Sequence, residues 1–281
     1  MRGESGFPVR LRFTKVGKVR FVSHRDVARA FERAFRIEQL PLAFTQGFSP
    51  RPKVSFGLAL GVGHESDAEY LDLELADAVA VDDLGDRLSP VLPEGIDVAG
   101  ACELADRAPS LQEAVTLVGI DLQLHDVDAP TLQDAVDRAL AAERLCITTT
   151  RKGNPVEEDL RPALRTLVVN DDDGVTVVRA ELNTQPRGVR PADLTVVLRE
   201  LMDVTDAEIG ADRVRRTHQW IERDGARLEP LEADRATRTA TRLRVTSKGL
   251  KDDRREDTGG DDLRDDTIDA ANHQVGGRRI A

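Results

Sequence analysis

Twice along the chain the hydrophobic repeat switches between period two and period 3.6 in the same order, and few architectures accept that order. Val9-Arg10-Leu11-Arg12-Phe13 alternates as a strand with one buried face, Arg10 and Arg12 being expected on the side away from the core. Lys15-Val16-Gly17-Lys18 reads as a turn or bulge. Val27, Ala30, Phe31, Ala34 and Phe35 then recur at helical spacing behind Ser23 as N-cap, with Asp26 in the first turn, which predicts a helix over about 24–37. Short strands are expected at Pro41–Thr45 and Lys53–Leu60, with the loop Gln46–Pro52 between them. The alternation of Ala68–Leu75 gives another strand, Val81–Leu92 a helix and Ile96–Leu104 a strand.

The second half runs through strand Val115–Leu124, helix Thr131–Ala142 and strand Leu145–Thr150. A hairpin follows, Leu164–Val169 with Val175–Leu182 across Asp171–Gly174, then helix Pro191–Leu201 and strand Ala207–Val214. The expected fold is α+β, two ferredoxin-like (split βαβ) units in tandem. Their expected limits are 9–108, basic, and 109–232. Residues 1–8 and the tail 233–281, which includes DDRREDTGGDDLRDD, are too poor in apolar residues to order themselves and are expected to be disordered.

The net charge of −11 is unevenly spread. Residues 1–60 hold twelve Lys/Arg against four Asp/Glu, while residues 231–281 balance at eleven each, so the whole acidic excess lies between 61 and 230. A polyanionic partner would therefore meet the first 60 residues. No run approaches the length of a membrane span, and MRGESGFPVR lacks the apolar stretch of a signal peptide, so the expected location is the cytoplasm. Cys102 and Cys146 sit in apolar stretches and read as buried small hydrophobes; two cysteines cannot complete a zinc site or an iron–sulfur cluster.

KVGKVRFVSHRDVARAFERAFR followed by LPLAFTQGFSPRPKVSFGLALGVGHESDAEYLDLEL resembles the uncharacterised DUF2344 family, a radical-SAM-linked domain found alone or fused behind a radical SAM module. The pattern shared is a basic strand and Gly turn, R-F-x-S-H-x-D, a helix with spaced arginines, Q-G-F-[NS]-P-R-P and S-x-E-Y-x-D-[LV]. The likeness runs over about residues 9–220, with Arg151–Asn154, Asp159–Pro162 and Arg215–Thr217 matching in the second half. Arg25 stands where the family has leucine. The resemblance implies an association with radical SAM chemistry and supplies no established activity. No C-x-x-x-C-x-x-C occurs, so the iron–sulfur cluster and SAM would belong to a separate partner protein and not to this chain.

His24, at the first helical position, is expected to be held neutral by the helix dipole. It is a candidate ligand contact, a capping-turn residue, or the general base of a metal-independent ribonuclease. Arg25, Arg29, Arg33 and Arg36 form one helical stripe that either meets phosphate or pairs with Glu69, Asp72 and Glu74. In Gln46-Gly47-Phe48-Ser49-Pro50-Arg51-Pro52-Lys53 the glycine, the prolines and two cations suit an anion loop, with Phe48 expected to anchor inward. His64, His125 and His218 lack metal-ligand spacing, and Gly61-Val62-Gly63 lacks the context of a phosphate loop.

The leading expectation is an accessory RNA-binding protein, for a tRNA or rRNA, non-catalytic by itself. It would grip phosphate through Arg12, Lys15, Lys18, Arg20, His24, Arg25, Arg29, Gln46, Arg51 and Lys53. An RNA-modifying or ribonuclease activity at His24 and a protein adaptor docking a radical SAM enzyme are the alternatives.

Overall fold

The computed structural model describes residues 6–105, 108–151, 153–172, 175–186, 188–203 and 212–239. The first strand is longer than its alternation suggests: β1 spans Phe7–Lys15, so Phe7 and Pro8 are ordered into it. The elements that follow are α1 (His24–Ile37), β2 (Val54–Phe56), β3 (Glu65–Leu75), α2 (Leu84–Leu88), β4 (Val98–Glu103), α3 (Leu111–Ala114), β5 (Leu117–Gln123) and α4 (Ala129–Ala141). After them come β6 (Cys146–Arg151), β7 (Asn154–Asp159), β8 (Leu164–Asp172), β9 (Val175–Asn183), α5 (Pro191–Leu201), β10 (Arg213–Arg223) and β11 (Ala226–Leu228). Residues 230–239 form α6, the last helix among the described residues.

Nine strands share one sheet in the order β4-β1-β3-β10-β5-β9-β8, with β2 beside β3 and β11 beside β10. All pairings within it are antiparallel except β3 with β10, which is parallel and registered at Arg215↔Glu65 and Arg216↔Ser66. The protein is thus an α+β structure on a large, mostly antiparallel sheet. β6 and β7 form a separate hairpin.

Two cores hold it together. In the first, Val9, Leu11 and Phe13 of β1 and Leu71, Leu73 and Leu75 of β3 pack under Val27, Phe31, Ala34 and Phe35 of α1. The Phe13 and Phe31 rings meet edge to face at 4.8 Å. Each large apolar side chain buried there contributes about 1.5–3 kcal/mol before entropy is counted. In the second, Ile120, Leu122, Val178, Ala180 and Leu182 of the sheet meet Leu132, Ala135 and Val136 of α4 and Leu194, Val197 and Leu198 of α5.

The structure departs from the sequence reading where charge is buried. Arg10 does not face solvent: its side chain is wholly buried, held by Asp72 (2.7 Å) and by Asp234 of α6 (2.8 Å). A disordered tail starting at 233 is accordingly overturned for its first seven residues, since α6 buries Leu231, Ala233 and Asp234. The remainder, 240–281, lies outside the described residues, as do 1–5, 207–211 of the expected last strand and 173–174 of the hairpin turn.

Cys102 is buried, but Cys146 is exposed because strand alternation turns Leu145 and Ile147 inward on either side of it. The expected strand Pro41–Thr45 is reduced to isolated bridges, Leu42 to Leu75 and Phe44 to Pro52. The expected helix Val81–Leu92 is the single turn of α2 followed by a 3-10 turn, Ser89–Val91, where Pro90 withholds a donor.

Candidate nucleic-acid interface

The α1 N-terminus is built as its residues dictate. The Ser23 hydroxyl donates to Asp26 Oδ2 at 2.7 Å, and Ser23 Oγ accepts from the Asp26 backbone N–H at 3.3 Å. That hydroxyl, with Arg29 at 3.1 Å, holds the Asp26 carboxyl below the usual range. His24 is exposed and rests edge-on against Phe56, ring centres 5.0 Å apart.

Arg25, Arg29, Arg33 and Arg36 are all exposed. The three acids offered as their alternative partners are engaged elsewhere: Glu69 with Arg216 (2.7 Å), Asp72 with Arg10 and Glu74 with Lys53 (2.9 Å). Within the helix Asp26 pairs with Arg29, and Arg36 Nε donates to the Glu32 carbonyl. Arg25 faces solvent, a place where a charged side chain keeps its hydration and a leucine would gain nothing from burial.

Lys18 and Phe21 are exposed on the 3-10 turn Gly17–Phe21 that precedes α1, with the Arg20 guanidinium 4.7 Å from the Phe21 ring centre. Arg20 also approaches Glu65 at 3.6 Å.

Two of the other expected contacts are committed inside the protein. Lys15 is 4% exposed, and its ammonium donates to the Arg20 carbonyl, so it does not reach a polyanion outside. Arg12 is half-buried and spent on Glu229 at 2.6 Å and on the Asp67 carbonyl. Gln46 and Arg51 are exposed on a loop whose neighbour Lys53 pairs with Glu74. Glu74 stands opposite Pro8 and Ser66 opposite Lys15, so the Lys53–Glu74 pair and Lys15 lie about 25 Å apart along β3. Phe48 does not anchor the loop inward but stands wholly in solvent. Asp159 accepts the Leu145 and Arg161 backbone N–H groups, and the Arg161 side chain donates to the Ala142 and Leu140 carbonyls.

Beneath His24 lies a buried polar cluster that sequence reasoning did not assemble. A cavity of about 20 Å³ is lined by Phe13, Lys15, His24, Phe56, Leu58 and Glu69, room for about one water. Arg216, from the far half of the chain, pairs with Glu69 and donates to the Leu58 and Ala59 carbonyls. Burial pushes the Lys15 amine down against the pull of Glu69, and burial, Arg216 and Lys15 together push His64 down. The one signal in the sequence is the pair Arg215-Arg216, whose role the sequence alone does not give. Its members come from β1, β3 and β10, and His24 and Val27 of α1 help to line the cavity beside them.

Among the described residues no helix is long and apolar enough to cross a membrane, and no three His, Cys, Asp or Glu side chains gather as a metal-binding group. The chain matches no curated protein. It is similar to a solved Dyp-type peroxidase protein from Shewanella oneidensis at 9% identity and a TM-score of 0.20, over 71% of this chain and 85% of that one; a likeness at that score carries no argument. The basic turn, the capped arginine helix and the acidic β3 all fall inside residues 9–191, which match the model of the uncharacterized proteins conserved in bacteria (DUF2344), and the chain belongs to that family.

Proposed function

We propose that this protein binds RNA through the phosphate backbone at the α1 face and serves, in the cytoplasm, as an accessory to a separate radical SAM enzyme that holds the cluster and SAM. The observation that carries the reading is the stripe Arg25, Arg29, Arg33 and Arg36, exposed while Glu69, Asp72 and Glu74 are committed to other cations. Apart from the Arg29–Asp26 pair, the guanidinium groups on this helix face repel one another until an anion meets them, and their planar forks suit phosphate oxygens. Lys18, exposed on the turn that leads into α1, adds a further cation nearby in the chain. The radical SAM association rests on the family resemblance alone.

The architecture is read as two ferredoxin-like units. Sheet order β4-β1-β3-β2 in the first half and β10-β5-β9-β8 in the second, antiparallel within each, supports a repeated split βαβ. β6 and β7 are then an inserted hairpin.

Fluorescence anisotropy with labelled single-stranded RNA over a range of salt tests the RNA reading. Arg29→Ala with Arg33→Ala is expected to weaken binding and to lower the salt slope by about 1.4, at about 0.7 for each phosphate no longer neutralised. An unchanged slope excludes the face. A protein partner is the second reading, favoured by Phe21 and Phe48, two exposed rings, the first with the Arg20 guanidinium over it. Retention of a radical SAM protein after nuclease treatment, with no RNA affinity, would select it.

A further inference from the structure

On the second half of the sheet α4 and α5 cover one face, and the other carries a groove of about 600 Å³. That volume falls in the range of small-ligand sites. Its floor is Gly119, where a Cβ would come within 2.9 Å of Thr217 Oγ1 and displace that hydroxyl into the groove or away from it. One wall is a pair of stacked rings: His218 and Trp220 lie 4.9 Å apart and 6° from parallel, with His218 exposed and Trp220 half-buried. Arg227 stands 5.8 Å from the centre of the Trp220 ring. The opposite side offers the Val168 side chain, 52% exposed, between Thr166 and Asn170.

The charges of this groove are matched among themselves. Asp121 lies 3.8 Å from Arg179, and Glu181 pairs with Arg227. A groove whose cations already face carboxylates gives little to a phosphate. It gives more to an uncharged planar ring, which can extend a stack on one face and take hydrogen bonds at its edge from Asn170, Thr166 or Thr217. Aliphatic ligands would leave the ring wall and these polar groups without use.

We infer that this groove binds a nucleobase, stacked on the His218–Trp220 pair. The base reaches it either as a free nucleoside or as an unpaired base of an RNA strand. The inference stands on residues other than those of the α1 face, and it does not require that face to bind phosphate.

Trp220 is the only tryptophan of the chain, so intrinsic indole fluorescence reports on this groove alone. Titrating the full chain with adenosine, guanosine, cytidine and uridine should give saturable quenching by at least one, insensitive to salt because a nucleoside carries no phosphate. Saturable quenching by a single-stranded RNA oligonucleotide and by none of the nucleosides would assign the base to a strand. Ribose 5-phosphate should not quench. His218→Ala should weaken the quenching about tenfold, the share of one stacked ring, and Asn170→Ala, which leaves the stack intact, should alter the preference among the four bases. Quenching no greater than that of free tryptophan amide for every base-containing probe, or equal quenching by ribose 5-phosphate, overturns the inference. The α1 reading is judged separately, by its salt slope.

Discussion

Arg10 and Asp234, 224 positions apart, meet at 2.8 Å in a buried ion pair. The pair joins the first strand to the last helix, and Asp72 completes the neutralisation of the guanidinium. Asp234→Ala leaves Arg10 buried with one carboxylate fewer, and the expected loss is about 3 kcal/mol, at the lower end for breaking a buried pair because Asp72 remains. Urea denaturation measures it. A midpoint equal to that of the parent would show that the Arg10–Asp234 pair contributes nothing to stability.

Arg216 and Glu69 should behave as a coupled unit. Arg216→Met strands a buried carboxylate and is expected to cost about 3–5 kcal/mol. Adding Glu69→Gln should recover part of that loss, so the double variant is more stable than the sum of the single losses. Strict additivity in the thermodynamic cycle would mean that the pair carries no interaction energy.

Acid should loosen the fold through His64. Burial, Arg216 and Lys15 lower its folded pKa below the ordinary 6.5. In the window between the lowered value and 6.5 the unfolded chain binds more protons, so stability rises with pH through that window and is lost as pH falls below 6.5. His64→Gln removes this contribution. Thermal melts across that window should show a flatter pH dependence for the variant, and identical curves would exclude His64 as a source of the slope.

Gly95 has φ +91°, and a Cβ there would lie 2.2 Å from the Val16 carbonyl oxygen. The Gly95 carbonyl also accepts the Val16 N–H at 2.9 Å. Gly95→Ala must strain the backbone and push Val16 away, at a cost of about 2 kcal/mol or more. Chemical denaturation should show a lower midpoint with an unchanged slope.

What the sequence reveals and what it hides divide along a physical line. α1 is legible to the residue because a capping serine and a 3.6 repeat of Val27, Phe31, Ala34 and Phe35 act within a few positions of one another. β10 is not, because Arg216 and Gln219 are buried although their residue types belong to surfaces. Their burial depends on Glu69 and on the Ala68 carbonyl, about 150 positions earlier, and local pattern does not contain such partners. Arg10 is hidden for the same reason, since Asp234 stands at the other end of the described chain. The arginine stripe is visible as spacing, but its exposure follows only from the pairing of the β3 acids with other residues.

β3 is made early and its arginines late. Asp67 and Arg215 are 148 positions apart, and Glu69 and Arg216 are 147 apart. At roughly 5–20 residues per second of synthesis, roughly 7–30 s pass before the second member of each pair leaves the ribosome. Through that interval the part of β3 that β10 will cover shows neighbouring carboxylates without their arginines, and like charge along an open edge discourages a second nascent chain from adding to it. The ion pairs that lock the finished sheet therefore begin as a guard against the wrong neighbour.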